Sequence, residues 1–182
     1  YAVSQNAKGH ALGHVKDLGL DYADPLARGY QTSARLPYHT DYSDLVGLLC
    51  LKTARSGGLS SIVSSSALFN HIMTKRPDLG AALMQPFYRT RWGEVGSDRP
   101  AWIEVPAFNT FEGGVSTSYV RSAVRKAQLM PEVPRVTAKQ EEAMDYMDEL
   151  AGSPEFHLDM ALQVGDLQFA NNHYIMHSRT AY

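Results

Sequence analysis

The sequence predicts an α+β protein, mainly β, built on a β-sandwich or barrel with a few inserted helices. Three observations predict it. Short apolar runs end in turn residues, a central block of alternating or aromatic-rich segments is punctuated by Gly and Pro, and only two or three helical patterns stand between the strands. A βαβ protein would instead alternate strands and helices throughout.

The first 35 residues are rich in Gly, Asp and His with weak periodicity, and read as a covering segment. "VGLLCLK" then reads as a buried strand, because its apolar run is short and the turn residues "RSGG" follow. "LSSIVSS" reads as a second strand. Ser65 or Ser66 is placed to cap a helix "ALFNHIMTKR" that stops before Pro77, and Asp78 to start a short one through "LGAALM". "FYRTRW", "AWIEVPAF" and "GVSTSYV" read as strands. Thr137 and Gln140 fit a capping box ahead of the helix "EEAMDYMDELA", which Gly152 and Pro154 end. "FHLDMAL", the "VGD" turn, "LQFANN" and "HYIMH" close the pattern as strands.

A length of 182 residues suits a single domain with a real core. Seventeen basic and nineteen acidic residues are interspersed, so no basic stripe points to nucleic acid or to an anionic membrane. The longest apolar runs, such as Leu45 to Leu51, are too short to cross a bilayer. The lone Cys50 sits in "VGLLCL" as a small core hydrophobe and has no partner for an internal disulfide. A small-molecule partner and a cytoplasmic setting are expected, the chain showing no signal segment although its start on Tyr1 reads as incomplete. Self-association into a homo-oligomer is compatible with all of this.

Chemistry concentrates in His39-Thr40-Asp41, which stands between a proline and the first strand. With seven histidines, an H-x-D arises by accident about a third of the time, and the chain carries a second, His157 and Asp159. In that second copy Phe156, Leu158, Met160 and Leu162 should line one face of a strand and His157, Asp159 and Gln163 the solvent face. At the loop-to-strand junction, by contrast, His39 and Asp41 can point together into a cavity. A third ligand is available from "HYIMH", where His173, Ile175 and His177 should share a face. Two imidazoles and one carboxylate, with the opposite side free, suit a non-haem Fe(II) that takes a chelating co-substrate and O₂. A closed zinc site would want four ligands, usually with thiolates. No G-x-S-x-G, Walker or G-x-G-x-x-G motif is present.

Taken in order, "YQTSARLPYHTDYSDLVGLLCLKTARSGGLSSIVSS", "RPDL…MQPFYRTRWGE" and "GDLQFANNHYIMHSRTAY" resemble the taurine dioxygenase-like family of Fe(II)- and 2-oxoglutarate-dependent oxygenases. The resemblance runs from about Val3 to the last residue. It implies a double-stranded β-helix, a jelly-roll core with inserted helices, holding one iron through His39, Asp41 and His177. His173 then becomes a neighbour rather than a ligand. Ser60, after Gly57-Gly58, takes the position of a hydroxyl residue that helps hold the distal carboxylate of 2-oxoglutarate, and Arg179 is a second candidate for co-substrate or substrate. Asn171, Asn172, Tyr119, Arg89 and Arg91 are candidates for the pocket wall. The arginine that clamps 2-oxoglutarate in the family follows the distal histidine on a further strand. The resemblance therefore reads residues 1–182 as one partial dioxygenase domain truncated at both ends, with 1–35 covering and 36–182 a jelly-roll core lacking its final strand.

The implied activity is hydroxylation of a small organic substrate bearing a carboxylate or sulfonate, with decarboxylation of 2-oxoglutarate to succinate. The alternatives are a non-catalytic jelly-roll module that binds metal or ligand, an inactive fragment, or a zinc hydrolase on the same three residues.

Overall fold

The computed structural model describes residues 9–24, 27–92 and 98–182. Residues 1–8, 25 and 26 of the expected covering segment lie outside them. The described part of that segment is mostly irregular, with one 3₁₀ turn at Gly29–Gln31.

Among the described residues, ten strands and four helices follow. They are β1 (Leu36–His39), β2 (Leu45–Leu49), β3 (Ser60–Ser64), α1 (Ser65–Lys75), α2 (Pro77–Leu83), β4 (Pro86–Thr90), β5 (Trp102–Pro106), β6 (Phe108–Phe111), β7 (Gly114–Thr117), α3 (Arg121–Ala127), α4 (Ala138–Ala151), β8 (His157–Met160), β9 (Leu167–Asn171) and β10 (Ile175–Arg179). The main sheet runs β1-β10-β3-β8, and β2-β9, β4-β5 and β6-β7 form two-stranded sheets, all antiparallel. No helix among the described residues is long and apolar enough to cross a membrane.

Period-two alternation gives the main sheet two different faces. Tyr38, Val63 and Met176 point toward the helices and form a core with Leu68 and Ile72 of α1 and Met144 and Met147 of α4. The opposite face carries His39, His177 and Ile62 in one cross-strand row, and Arg179 and Ser60 in the next. This second face looks toward β9, because Ser60 Oγ donates to Gln168 Oε1 at 3.0 Å. The interior of a jelly roll thus lies between the β1-β10-β3-β8 and β2-β9 sheets.

Two bent connections form the corner where the chain changes sheet. Residues 40–44 carry β1 into β2, and residues 172–174 carry β9 into β10. Asn172 fastens them together. Its backbone N–H donates to Asp44 O, its Oδ1 accepts from Asp41 N–H, and its Nδ2 donates to Ser43 O, all at 2.8–2.9 Å.

Several local expectations change. Ser64, not Ser65 or Ser66, caps α1: its extended backbone lets Oγ accept from Ala67 N–H, while Ser65 is already helical and fully buried. α2 starts at Pro77, whose fixed φ suits a first helical position, and Asp78 falls in the first turn. "AWIEVPAF" is two strands, because Ala107 leaves the ladder to donate its N–H to Leu83 O. The predicted strand "GVSTSYV" pairs only over Gly114–Thr117, and residues 118–120 leave the ladder and lead into α3 at Arg121. β8 turns the other way from the expectation: Leu158 is 59 % exposed, and His157 packs near Tyr38 with ring centroids 6.2 Å apart. His173 lies in the turn before β10 and so does not share a strand face with Ile175 and His177. The α4 capping box forms as predicted, Thr137 Oγ1 accepting from Gln140 N–H and Gln140 Oε1 from Thr137 N–H.

Candidate metal centre

His39 and His177 are direct cross-strand partners on β1 and β10, with ring centroids 4.3 Å apart. Asp41 follows two residues after His39, where the chain has begun its bend, and its carboxylate reaches both rings. Asp41 Oδ1 is 3.9 Å from His39 Nε2, and Oδ2 is 3.7 Å from His177 Nε2. One ligand atom from each of the three lies within 4.8 Å of the others, the only such group of His, Cys, Asp and Glu among the described residues.

The donor chemistry fits a divalent metal. His39 Nδ1 lies 2.8 Å from Pro37 O, so it carries the proton and leaves the Nε2 lone pair facing Asp41. His177 is buried, and desolvation, reinforced by His39 and opposed by Asp41, lowers its pKa to about 4. Its imidazole is therefore neutral at physiological pH and has no proton to give up before ligation. Asp41 is half-exposed on the open side. Two imidazoles and one carboxylate from one direction match a facial arrangement with open positions opposite.

Thr40 alternates away from its two neighbours and is buried at 1 % exposure. It joins the site to the helices: Thr40 N–H donates to Tyr119 O at 2.8 Å, and Tyr119 N–H donates to Thr40 Oγ1 at 3.0 Å. Tyr119 is buried at 2 % exposure, and its hydroxyl donates to Asp148 Oδ1 at 2.8 Å. Arg121 in turn donates to Asp148, Glu141 and Asp145, pinning α3 to α4.

Of the residues proposed for the pocket, the structure groups some and separates others. Ser60 and Arg179 are cross-strand partners on the face that carries His177. Arg179 Nη2 donates to Thr32 O and Ala34 O, while its Nε and Nη1 have no hydrogen-bond partner among the described residues. Asn172, Arg89 and Arg91 line a cavity of about 470 Å³ beside Asp41. The amide of Asn172 is engaged by residues 41–43. Asn171 and Tyr119, expected on the pocket wall, do not line that cavity. Asn171 opposes Leu45 on the exposed side of the β2-β9 ladder, and Tyr119 is enclosed behind Thr40. His173 is held by Ser116 Oγ at 2.7 Å and Asp44 Oδ1 at 2.8 Å. That chain orients the ring at the cavity rim. Asp44 is 95 % exposed, too solvated to activate Ser116 as a nucleophile. In the second H-x-D pair His157 Nε2 lies 3.6 Å from Asp159 Oδ2, and no third ligand joins them among the described residues.

The anchoring role of Thr40 went unnoticed in the sequence, although the alternation that aims His39 and Asp41 one way necessarily aims the residue between them the other.

Comparison with known proteins agrees with this geometry. The family model described as "Taurine catabolism dioxygenase TauD, TfdA family" matches residues 2–182. An FR-33289 synthase from Streptomyces rubellomurinus is 32 % identical over 186 residues, covering 100 % of this chain and 54 % of the synthase. A taurine hydroxylase-like protein from Stachybotrys chartarum is 30 % identical over 187 residues, covering 96 % and 46 %. The chain thus spans about half the length of these relatives. Among solved structures, asparagine oxygenase in complex with Fe(II), 2S,3S-3-hydroxyasparagine and succinate aligns with a TM-score of 0.61 at 18 % identity, covering 85 % of this chain and 46 % of that one. The non-heme iron oxygenase OrfP in complex with Fe and alpha-ketoglutaric acid aligns with a TM-score of 0.61 at 15 % identity, covering 96 % and 52 %. These two likenesses establish the fold, a jelly-roll oxygenase fold. Together with the match along nearly its whole length, they place the chain in the taurine catabolism dioxygenase TauD, TfdA family.

Proposed function

We propose that the protein is an Fe(II)- and 2-oxoglutarate-dependent dioxygenase that hydroxylates a small organic substrate bearing a carboxylate or sulfonate. The observation that carries this reading is the convergence of His39, Asp41 and His177 on one point, with the Asp41 carboxylate half-exposed. His39, Asp41 and His177 hold the metal. Fe(II) bound there with 2-oxoglutarate would activate O₂, the oxidant that hydroxylates a substrate C–H bond and converts 2-oxoglutarate to succinate and CO₂.

The remaining work belongs to the chain. Ser60 and the two unpaired N–H groups of Arg179 bind the co-substrate carboxylate on the interior face. Asn172 holds the 41–44 bend, and so keeps Asp41 turned toward both histidines. Thr40 and Tyr119 brace the same bend from the core. Near-balanced charge supports a small-molecule partner rather than nucleic acid or membrane, and the free thiol of Cys50 supports a cytoplasmic setting. Self-association is supported by the apolar outer face of β2-β9, where Leu45, Leu49, Leu167 and Phe169 are exposed.

Anaerobic titration of Fe(II) with 2-oxoglutarate tests the reading. A visible charge-transfer band is expected, lost in His39→Ala and in His177→Ala. Bound metal with no such band would refute it in favour of a non-catalytic binding module.

A further inference from the structure

Arg89, Trp92 and Thr117 line the cavity beside Asp41, and four of their buried polar atoms have no hydrogen-bond partner among the described residues: Arg89 Nε, Arg89 Nη1, Trp92 Nε1 and Thr117 Oγ1. Three are N–H donors, and the fourth is a hydroxyl that can donate. Buried polar groups in folded proteins are nearly always paired, so this concentration of free donors marks a place built to receive an acceptor.

Arg89 is the centre of it. It lies on β4 at 4 % exposure, with its guanidinium 4.9 Å from the Tyr42 ring centroid and Nη2 donating to Ser118 Oγ at 3.1 Å. It forms no ion pair among the described residues. A guanidinium keeps its charge even when buried, and a buried cation without a counter-ion is costly until an anion joins it. Burial presses the Arg89 pKa down, with only the Tyr42 hydroxyl opposing. Two carboxylates share the cavity wall. Asp41 belongs to the metal site, and Asp44 is solvated and paired with His173.

We infer that Arg89, with Thr117 and Trp92, anchors an oxyanion group of the primary substrate, a carboxylate, sulfonate or phosphonate, in the cavity beside Asp41. The word "substrate" rests on the proposed oxygenase reading; the anion site itself does not. The distal carboxylate of 2-oxoglutarate has the same chemistry, but Ser60, His177 and Arg179 do not line this cavity. Arg179 therefore answers for the co-substrate and Arg89 for the substrate.

The test uses the metal-free full chain, with acetate, methanesulfonate and methylphosphonate as probes and the Trp92 indole N–H resonance as the readout. At least one probe should shift that resonance saturably. Arg89→Met should weaken its binding at least tenfold, and Arg89→Lys by less. Thr117→Val removes a hydroxyl that has no partner among the described residues, so it should fold normally and weaken binding a few-fold. In a separate arm, the charge-transfer titration with Fe(II), Arg89→Met should leave 2-oxoglutarate affinity within twofold while Arg179→Met lowers it. The inference is overturned if no probe shifts Trp92, or if Thr117→Val and a folded Arg89→Met bind as the parent does. It is equally overturned if Arg89→Met weakens 2-oxoglutarate as much as the small anions. Loss of the charge-transfer band would refute the oxygenase reading and leave the anion arm standing.

Discussion

Tyr119→Phe removes one hydroxyl and separates a bracing role from a pocket role. In the native protein that hydroxyl donates to Asp148 Oδ1 at 2.8 Å, while Arg121 Nη1 donates to Oδ2 at 2.6 Å. Burial raises the Asp148 pKa, and Arg121 and Tyr119 work against it. A hydrogen bond to a charged group contributes about 1.5–3 kcal/mol, and phenylalanine leaves the carboxylate with Arg121 alone. For a chain of this size each kcal/mol corresponds to about 2–4 °C of melting temperature, so the variant should melt about 3–12 °C lower. Both backbone bonds between Tyr119 and Thr40 survive the substitution, so metal affinity should change less than about threefold. Calorimetry and a competitive metal titration on the same sample read the two quantities. An unchanged melting temperature with an altered KM for substrate would refute the reasoning and return Tyr119 to the pocket wall.

Thr40→Val keeps the shape but strips the acceptor from the buried Tyr119 N–H. Stability should fall by about 1–3 kcal/mol in urea, and metal should bind about tenfold more weakly as the ligands on either side loosen. In metal-free protein, the lowered His177 pKa means that the folded state resists protonation. Its contribution is complete above pH 6.5 and is lost as the pH falls toward about 4, amounting to about 3 kcal/mol. Urea midpoints across that range should show the decline in the parent and a shallower one in His177→Ala. Gly57 has φ +67°, and a Cβ there would collide with the Ala181 carbonyl oxygen that accepts from Gly58 N–H. Gly57→Ala should therefore cost more than about 2 kcal/mol, measured as a drop in melting temperature with no change in ligand set.

What could be read from the sequence was local. The strands at β3 and β9, and the capping box at Thr137 and Gln140, depend on neighbours along the chain and fall where the pattern puts them, whereas "VGLLCLK", read as a buried strand, pairs over Leu45–Leu49 and leaves Leu45, Leu49 and Leu51 exposed. α3 escaped notice because its seven residues carry little periodicity of their own. It is helical because Arg121 meets three carboxylates on α4, and Ala123, Val124 and Ala127 find a core. The metal site divides the same way. His39 and Asp41 announce themselves by spacing, yet the choice of His177 over His173 came only from resemblance. What separates them physically is that His173 is turned out at the sheet corner, while His177 stands in register with His39. No pattern in the residues announced the free donors of Arg89, since they depend on which acids stay away.

The row that aligns His39 with His177 also joins distant parts of the chain, because 177 − 39 spans 138 residues. A metal held by both is a cross-link closing most of the polypeptide into a loop. In the chain-entropy model, a permanent link of that span would cost the unfolded ensemble about 5 kcal/mol. Metal loading should thus act as a clasp on the whole fold, and the seam between β1 and β10 is where the emptied protein should begin to open.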